Sequence, residues 1–496
     1  MSILIEIIAA LAAFLVGLML RRYFILTSGE QKTNLPFIKD YNFLTGSKDI
    51  IFTNDKVLAV NAHDRHLEMG DTFGCYFGQN MQVFCRDPDL IYKVCVSDFQ
   101  KHRNRYYVNS LSPYMKASLL EARDNQWQTS RRAIGSILKA SKLKLDNVDS
   151  DIDLSISQML KSIDKRLVEF KTKGEEEILD VYQINKNFVM QSILKIIYDQ
   201  DNLVNFDNDY NDIVEDLYKF INVNYEFVAR ICFLLPVLTD LVRPLLSCFD
   251  HGKCLALLTR KLEKILGQTL RQQQLEGRRL TTIHSLVNSY RKGELSREQL
   301  MGNAVFLMIA GFATSVDSMS ALMWELAKNQ EVQDKLRADL KQYGEGSKYL
   351  EQCLNETLRL YPGAMTNREL TEDIYHDNFR LVKGLCFNIS LYSVHRDPKY
   401  WGPDAEIWRP DRFDPHLAAK FHPAQFIPFG IGPRNCVGYN LAKLELSKFT
   451  VQFILKYRIE TCPTTQSKLE FVPLGALPFA LPLQGPVPLK LTQVLV

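Results

Sequence analysis

A chain of 496 residues with a formal net charge of +3 carries too little excess positive charge to argue for nucleic acid, so an electrostatic partner must be met by a local cluster. Its composition, 46% hydrophobic and 24% charged, is that of an ordinary globular protein, with no repeat or low-complexity tract. The ten cysteines form no CxxC pair, which argues against a zinc framework, and their scatter suits a reducing compartment.

The first element is apolar. Ile3 to Leu20 contains one charge, Glu6, and is followed at once by Arg21 and Arg22. A helix of this length spans about 27 Å, enough for a thin bilayer. Positive charge after the run keeps the rest of the chain on the cytoplasmic side. A cleaved leader would want positive charge before the run and a small-residue cleavage site after it, and neither is clear. The expected organisation is an anchor over 1–23, a linker over 24–45 and one body over 46–496. On that topology the sequons at Asn355 and Asn388 face the cytosol and stay unmodified.

Residues 55–62, 70–77 and 81–85 read as short strands, the last two joined by a turn at Gly78-Gln79-Asn80. From about 113 to 360 the pattern is mainly helical. The clearest helix runs from Arg297 to Ala327, with an apolar core at Ala304–Gly311. It is too long and too apolar for a surface helix, so it is expected to cross the middle of the fold. A helix over 347–360 stops before Pro362. Strands are expected near 378–394, a Pro- and Trp-rich loop over 397–435, a helix from Val437 to Lys456, and a proline-rich β tail after 470. The fold class is thus mainly α with a smaller β region contributed by both ends of the chain.

The most informative segment is Phe429-Gly-Ile-Gly432-Pro-Arg434-Asn-Cys436-Val-Gly438. Its glycines let the backbone turn tightly and approach a cofactor. Cys436 precedes an amphipathic helix with Leu441, Leu444, Phe449 and Phe453 as core positions. A helix N-terminus offers free amides and a favourable dipole, so a thiolate is stabilised there. A thiolate is a soft iron ligand that pushes electron density toward bound oxygen. Arg434 can reach a carboxylate of the same cofactor. A buried structural cysteine beside a flexible loop is the bland alternative.

The segment resembles the haem-binding signature of the cytochrome P450 family at every signature position. Motif order and spacing agree over about residues 45–485, and His395-Arg396-Asp397-Pro398-Lys399-Tyr400-Trp401 adds to a likeness to animal clan-three members. The resemblance implies the cytochrome P450 fold. Haem b (iron protoporphyrin IX) would lie buried between the long central helix and the cysteine loop, with Cys436 as axial ligand and Phe429 and Gly438 beside it. Glu356 and Arg359 match the family's Glu-x-x-Arg helix, and Arg412 in Pro410-Asp-Arg-Phe413 would bridge to Glu356. Trp127 and Arg131 match Trp-x-x-x-Arg, which holds a haem propionate; Arg105 and Arg368 fall where further propionate donors stand. Ala310-Gly311-Phe-Ala-Thr314-Ser matches the oxygen-side helix. Gly311 would leave room for oxygen, and Thr314 would manage protons. Taken singly, each of these arginines could be an ordinary surface residue, and Thr314 could bond its own backbone.

Two positions depart from the family pattern. Ala313 stands where an acid is usual, which leaves proton delivery to Thr314, water or another group such as Asp317. Pro36 stands alone where relatives show a proline cluster. The implied reaction inserts one atom of O2 into a lipophilic small molecule (xenobiotic, steroid or fatty-acid-like). The implied electron source is NADPH, through NADPH-cytochrome P450 reductase with cytochrome b5 as a further donor, since no flavin or Rossmann motif is visible. The expected location is the endoplasmic reticulum membrane. Arg131, Arg132, Lys139, Lys142 and Lys144, with Lys443 and Lys448 behind the cysteine, could dock an acidic reductase or form a solvated face. Residues 226–247 could be core or an apolar lip dipping into the bilayer. By resemblance the pocket draws on 106–124, Phe306–Thr314, Pro362–Thr366 and Ala476–Phe479. Two rivals remain: a haem-thiolate isomerase of a lipid peroxide, which Ala313 makes worth keeping, and a non-catalytic haem- or lipid-binding module.

Overall fold

The computed structural model describes residues 2–42, 46–47, 57–78, 80–106, 113–146, 148–201, 204–207, 211–222, 250–271, 280–472 and 481–494. The expected lip at 226–247 and pocket segment at 476–479 lie outside the described residues, as do 55–56, 107–112 and Gln79.

The central element is the helix Arg297–Lys328. It starts where Ser296 accepts from the Gln299 amide at 3.2 Å while the Gln299 side chain accepts from the Ser296 amide at 2.9 Å, a reciprocal cap. Length and hydropathy alone would let it cross a bilayer, but it is mostly buried within the fold and runs through the core. The helix Val181–Tyr198 lies along it, pinned where Tyr198 Oη donates to the Ala304 carbonyl at 2.5 Å. The short helix Pro113–Ala117 approaches so closely that a Cβ on Gly302 would sit 2.1 Å from the Tyr114 carbonyl oxygen. Asn303 fastens this contact, accepting from the Leu119 amide at 2.7 Å and donating to Ser130 at 3.0 Å.

The β region has three parts. In chain order the strands are β1 (Tyr41–Asn42), β2 (Gly46–Ser47), β3 (Thr72–Phe77), β4 (Asn80–Cys85), β5 (Ile178–Asp180), β6 (Thr366–Glu369), β7 (Ile374–His376), β8 (Phe379–Leu381), β9 (Cys386–Ile389), β10 (Tyr457–Glu460) and β11 (Pro488–Gln493). The largest sheet runs β1-β2-β3-β4-β9-β6, with β4 and β9 parallel and the rest antiparallel. A second runs β10-β11-β5, and β7 pairs with β8. Both ends of the chain thus contribute, as expected, but β5 comes from mid-chain and is too short to show a period of its own.

Several sequence expectations are corrected. The strand over 55–62 is instead a helix, Leu58–Met69, with Leu58, Ala59, Ala62 and His66 buried on one face. The run Val57–Val60 imitates a strand only because its helical spacing emerges over the next two turns. Near 391–394 the chain turns helical rather than extended. The first helix does not stop at 20 but continues through both arginines to Thr27, so part of the supposed linker is helix. Its end docks: Leu26 is buried with Leu35, Phe37 and Tyr76. Asn388 is buried in β9, its amide donating to Gln82 at 3.1 Å, so that sequon is closed to glycosylation whatever the topology. Of the described cysteines, Cys75, Cys85, Cys95, Cys353 and Cys386 are buried free thiols.

Gly302→Ala should cost about 1–3 kcal/mol, because its Cβ meets backbone that cannot rotate away. Gly267→Ala, on a helix with nothing within 4 Å of the new methyl, should instead stabilise by about 0.5–1 kcal/mol. Urea midpoints of the two variants moving in the same direction would contradict this packing account.

Candidate active site around Cys436

The loop Phe429–Gly438 is shaped by two glycines with left-handed backbone, Gly430 at φ 72° and Gly432 at φ 76°. Gly432 is doubly constrained, since a Cβ there would lie 2.0 Å from the Cys95 carbonyl oxygen. The turn closes when the Cys436 amide donates to the Phe429 carbonyl at 2.8 Å. The following helix, Tyr439–Lys456, starts two residues later than expected, with Gly438 as its cap. Phe429 meets Tyr439 edge-on, with ring centroids 4.8 Å apart.

Cys436 is enclosed by protein, yet its side chain is solvent-accessible. Both statements hold together for a residue on the wall of an internal cavity. Burial raises its thiol above the ordinary value; hydrogen bonds from the Gly438 and Tyr439 amides and the positive charge of Arg131 and Arg105 act the other way. The amides expected at the helix start are therefore present, but the pocket alone does not make a thiolate.

Around this sulfur four arginines converge. Arg105 donates to the Leu120 carbonyl at 3.0 Å. Arg368, on β6, donates to the Asn367 carbonyl at 2.7 Å and leaves Nε buried with no partner among the described residues. Arg434 stacks over the buried Trp127 ring at 4.9 Å and donates to the Ala122 carbonyl; its Nε and Nη1 are buried with no partner among the described residues. Burial, reinforced by neighbouring guanidiniums, pushes Arg434 down to about 8 and Arg105 down to about 9. A guanidinium keeps its proton under such pressure, so the cluster calls for an anion. A flat cofactor with two carboxylates at one edge and a metal that takes a sulfur ligand fits this donor set. Arg131 grips Asn435, donating to its carbonyl and its side-chain oxygen at 2.6 Å each. It braces the residue before Cys436.

The loop is also locked from behind. Glu356 and Arg359, both fully buried, pair through two hydrogen bonds at 2.7 and 2.8 Å. Arg412 joins Glu356 at 3.2 Å and reaches the Trp401 carbonyl at 2.5 Å. Arg359 also donates to the His395 and Ala405 carbonyls at 2.7 Å. His395 entered the sequence analysis only as part of a family-like segment, with no role assigned, yet it carries the connection forward. Burial, then the charge of Arg359, lowers it to about 3, so its neutral Nε2 accepts from the Ile427 amide at 3.0 Å. Ile427 in turn accepts from Gly430 at 2.9 Å. Only the contact itself would have revealed this histidine.

On the opposite side, the central helix is buried from Leu300 to Ala327 except at Phe306, Ala310, Gly311, Ala313 and Thr314. Their spacing marks one face. Thr314 Oγ1 donates to the Ala310 carbonyl at 2.9 Å, and a Cβ on Gly363 would touch the Thr314 methyl at 2.9 Å. Gly311 has a packing reason as well, since its added Cβ would lie 3.2 Å from Ile193. Asp317 does not reach this face openly. It is buried, accepting from Tyr182 Oη at 3.0 Å.

The sequence profile described as Cytochrome P450 matches residues 50–482. The chain belongs to the cytochrome P450 family. It is similar to cytochrome P450 3A29 of Sus scrofa (26% identical over 431 residues, 82% of each chain). It also resembles the probable cytochrome P450 6t3 of Drosophila melanogaster (25% over 435 residues, 81% of each) and the lithocholate 6-beta-hydroxylase of Mesocricetus auratus (26% over 436 residues, 81% of each). As a cytochrome P450 the chain has the P450 fold, is a haem-dependent monooxygenase, and works with a redox partner on a lipophilic substrate.

One expected docking residue is removed by the geometry. Lys448 is buried among Asp149, Asp153 and Glu345, at 3.6, 3.0 and 3.1 Å. Lys443 is paired with Glu351 at 2.8 Å and Lys142 with Asp146 at 2.9 Å. Arg132, Lys139 and Lys144 remain exposed.

Arg359→Met removes two of the hydrogen bonds to the buried Glu356 carboxyl and leaves it to Arg412 and the Arg409 amide; calorimetry of the holoprotein should show a loss of roughly 3–5 kcal/mol, and a loss under 1 would sink the lock. Behind the cysteine, burial raises Glu445 from 4.5 to about 7, opposed by a hydrogen bond from Ser192. The folded state therefore holds a proton that the unfolded state releases. Stability should fall as pH rises from about 4.5 to about 7 and then level. Glu445→Gln should flatten that slope by about 1–3 kcal/mol, read from denaturation midpoints across the window.

Proposed function

We propose that the chain is a membrane-anchored monooxygenase of the endoplasmic reticulum, drawing electrons from NADPH through NADPH-cytochrome P450 reductase, with cytochrome b5 as a second donor. Its substrate is an apolar small molecule of xenobiotic, steroid or fatty-acid type. The observation that carries the reading is the pairing of one cavity-facing sulfur with buried, incompletely bonded arginines. In this assignment Cys436 ligates the iron, and Arg105, Arg368 and Arg434, with Trp127, hold the two carboxylates. Arg131 acts one step back, through Asn435. Haem supplies oxygen activation when bound. The protein's own part is to exclude water, orient the substrate and place a proton. Thr314 Oγ1 is the hydroxyl on the half-exposed helix face; released from the Ala310 carbonyl, it can hold a proton toward the cavity. Small side chains at 310, 311, 313 and 363 leave space for substrate beside it.

The domain division proposed is an anchor followed by one catalytic body. Supporting the anchor, Ser2–Thr27 is a single helix of about 39 Å, and Phe14, Val16, Leu18, Met19, Leu20 and Phe24 are exposed on it. Such an apolar surface is stable in lipid, not in water. For the reductase, the exposed Arg132, Lys139 and Lys144 offer a basic dock; the ion-paired lysines behind the cysteine do not.

The test is the optical spectrum of the reduced carbon monoxide complex. Freshly prepared wild type should show the strongly red-shifted thiolate band, and Cys436→Ser should lose it; a wild type without that band would end the assignment. With reductase and NADPH, Thr314→Val should lower turnover by about a hundredfold while leaving the band in place. Because Ala313 removes the usual acid, the competing reading is isomerisation of a lipid peroxide. It would be favoured by turnover of a hydroperoxide without reductase and none of any substrate with NADPH. Failure to consume NADPH across a broad substrate panel would point to a binding module.

A further inference from the structure

The half-exposed face of the central helix, read as Phe306, Ala310 and Ala313, continues one turn on to Asp317. There it is covered. Residues 481–484 return antiparallel to 470–472: Phe471 bridges Leu483, Val472 donates to Pro482 at 2.8 Å, and Gln484 donates to Glu470 at 2.7 Å. This hairpin stem lies over Asp317, whose carboxyl receives the Leu483 amide and Tyr182 Oη. Tyr182 Oη also stands 3.3 Å from the Leu483 carbonyl. The Tyr182 ring is itself wedged: a Cβ on Gly485 would strike it at 2.7 Å, and the Tyr218 ring meets it edge-on at 6.0 Å. Two residues along the stem, the Leu481 amide donates to the Gly363 carbonyl at 3.1 Å, and Gly363 is the residue that abuts the Thr314 methyl. One connected path therefore runs from Asp317 through Leu483 and Leu481 to the wall that faces Thr314.

We propose that Asp317, with Tyr182, is a positioning residue that holds the hairpin stem and, through Leu481 and Gly363, fixes the shape of the substrate cavity beside Thr314. The inference rests on the haem-thiolate reading of Cys436. Burial raises the Asp317 carboxyl to about 8, so near neutral pH it is a protonated hydrogen-bonding group with no net charge. That agrees with its setting, where a tyrosine hydroxyl and one peptide unit meet it and no cation is among its partners. An amide of the same shape should serve equally. An apolar side chain should not, because the Leu483 amide would then lose its acceptor and the Tyr182 hydroxyl would keep only the longer contact to the Leu483 carbonyl.

The experiment uses the full-length holoprotein and two iron-ligating probes, imidazole and 4-phenylimidazole, titrated optically. Imidazole needs only the iron; the phenyl ring must also lie against the cavity wall. For Asp317→Leu and Tyr182→Phe the affinity for 4-phenylimidazole should fall at least tenfold while that for imidazole changes less than twofold. Asp317→Asn should keep both within twofold of wild type. The reduced carbon monoxide band, measured on each variant, reports an intact cysteine site and separates failure of this inference from failure of the haem-thiolate reading. Equal shifts for both probes, or no shift for either, in an Asp317→Leu or Tyr182→Phe protein that retains the band would overturn the proposal, as would a selective loss of 4-phenylimidazole affinity in Asp317→Asn. If Asp317→Leu yields no holoprotein, Tyr182→Phe, which removes one hydroxyl and leaves the ring on Gly485, decides the matter alone.

Discussion

Repulsion among buried guanidiniums governs this site. Arg105 comes from the loop before the Trp127 helix, Arg368 from β6 and Arg434 from the cysteine loop, so three distant segments bring like charges into one low-dielectric region. Their convergence is unfavourable unless an anion shares it, because Arg368 lowers both Arg105 and Arg434 and burial disfavours the charge on each of those two. Carbonyl oxygens of Leu120, Ala122 and Asn367 offset part of this. The remaining donors, Arg368 Nε and Arg434 Nε and Nη1, fit a dianionic edge. A ligand that satisfies them is part of the core, and its binding free energy adds directly to folding.

What allows the three segments to meet is a second set of charges, fully compensated. Glu356 and Arg359 are inaccessible to solvent, and every bond they make ends on backbone or on one another, save the link to Arg412. A buried ion pair is weak evidence for stability but strong evidence for specificity of arrangement when its donors are shared among several strands of chain. Here Arg359 donates to the carbonyls of 395 and 405, Glu356 accepts from the Arg409 amide, and Arg412 extends the set to 401 and 404. The loop to the cysteine is thereby fixed at both ends, by Arg412 behind and by His395 on Ile427 in front. The neutral state of His395 is essential to this, since a protonated ring could not accept the Ile427 amide.

The sequence made the chemistry legible where side-chain type and spacing are both demanded by the chemistry. The glycines at 430 and 432, Cys436 and the helix after it could be read directly, as could the Glu356–Arg359 pair and the long apolar helix. Residues whose partners lie far away in sequence were less legible. Arg131 matches the spacing after Trp127 four residues before it, but its bond to Asn435, 304 residues away, has no local signal. Lys448 looked like a surface cation because nothing local opposes it; Asp149, Asp153 and Glu345 do so across the fold. The helix at Leu58 was missed for the opposite reason. Its first three residues are apolar, and the period appears only with Ala62 and His66.

Ala313 and Asp317 deserve comparison because they stand one helical turn apart. A carboxyl at 313 would face the cavity, where it could exchange protons with water and with Thr314. The carboxyl at 317 is sealed by the hairpin stem, holds its proton to about pH 8 and is engaged by Tyr182 and Leu483. A group so enclosed stabilises structure and conducts no protons, since each transfer would leave a buried charge. The helix thus retains an acid near the expected place but uses it to hold the cavity wall. Thr314 is left as the protic side chain on the half-exposed face, beside three residues no larger than a methyl. The same substitution that widens the cavity at 313 therefore narrows the routes by which protons can enter it.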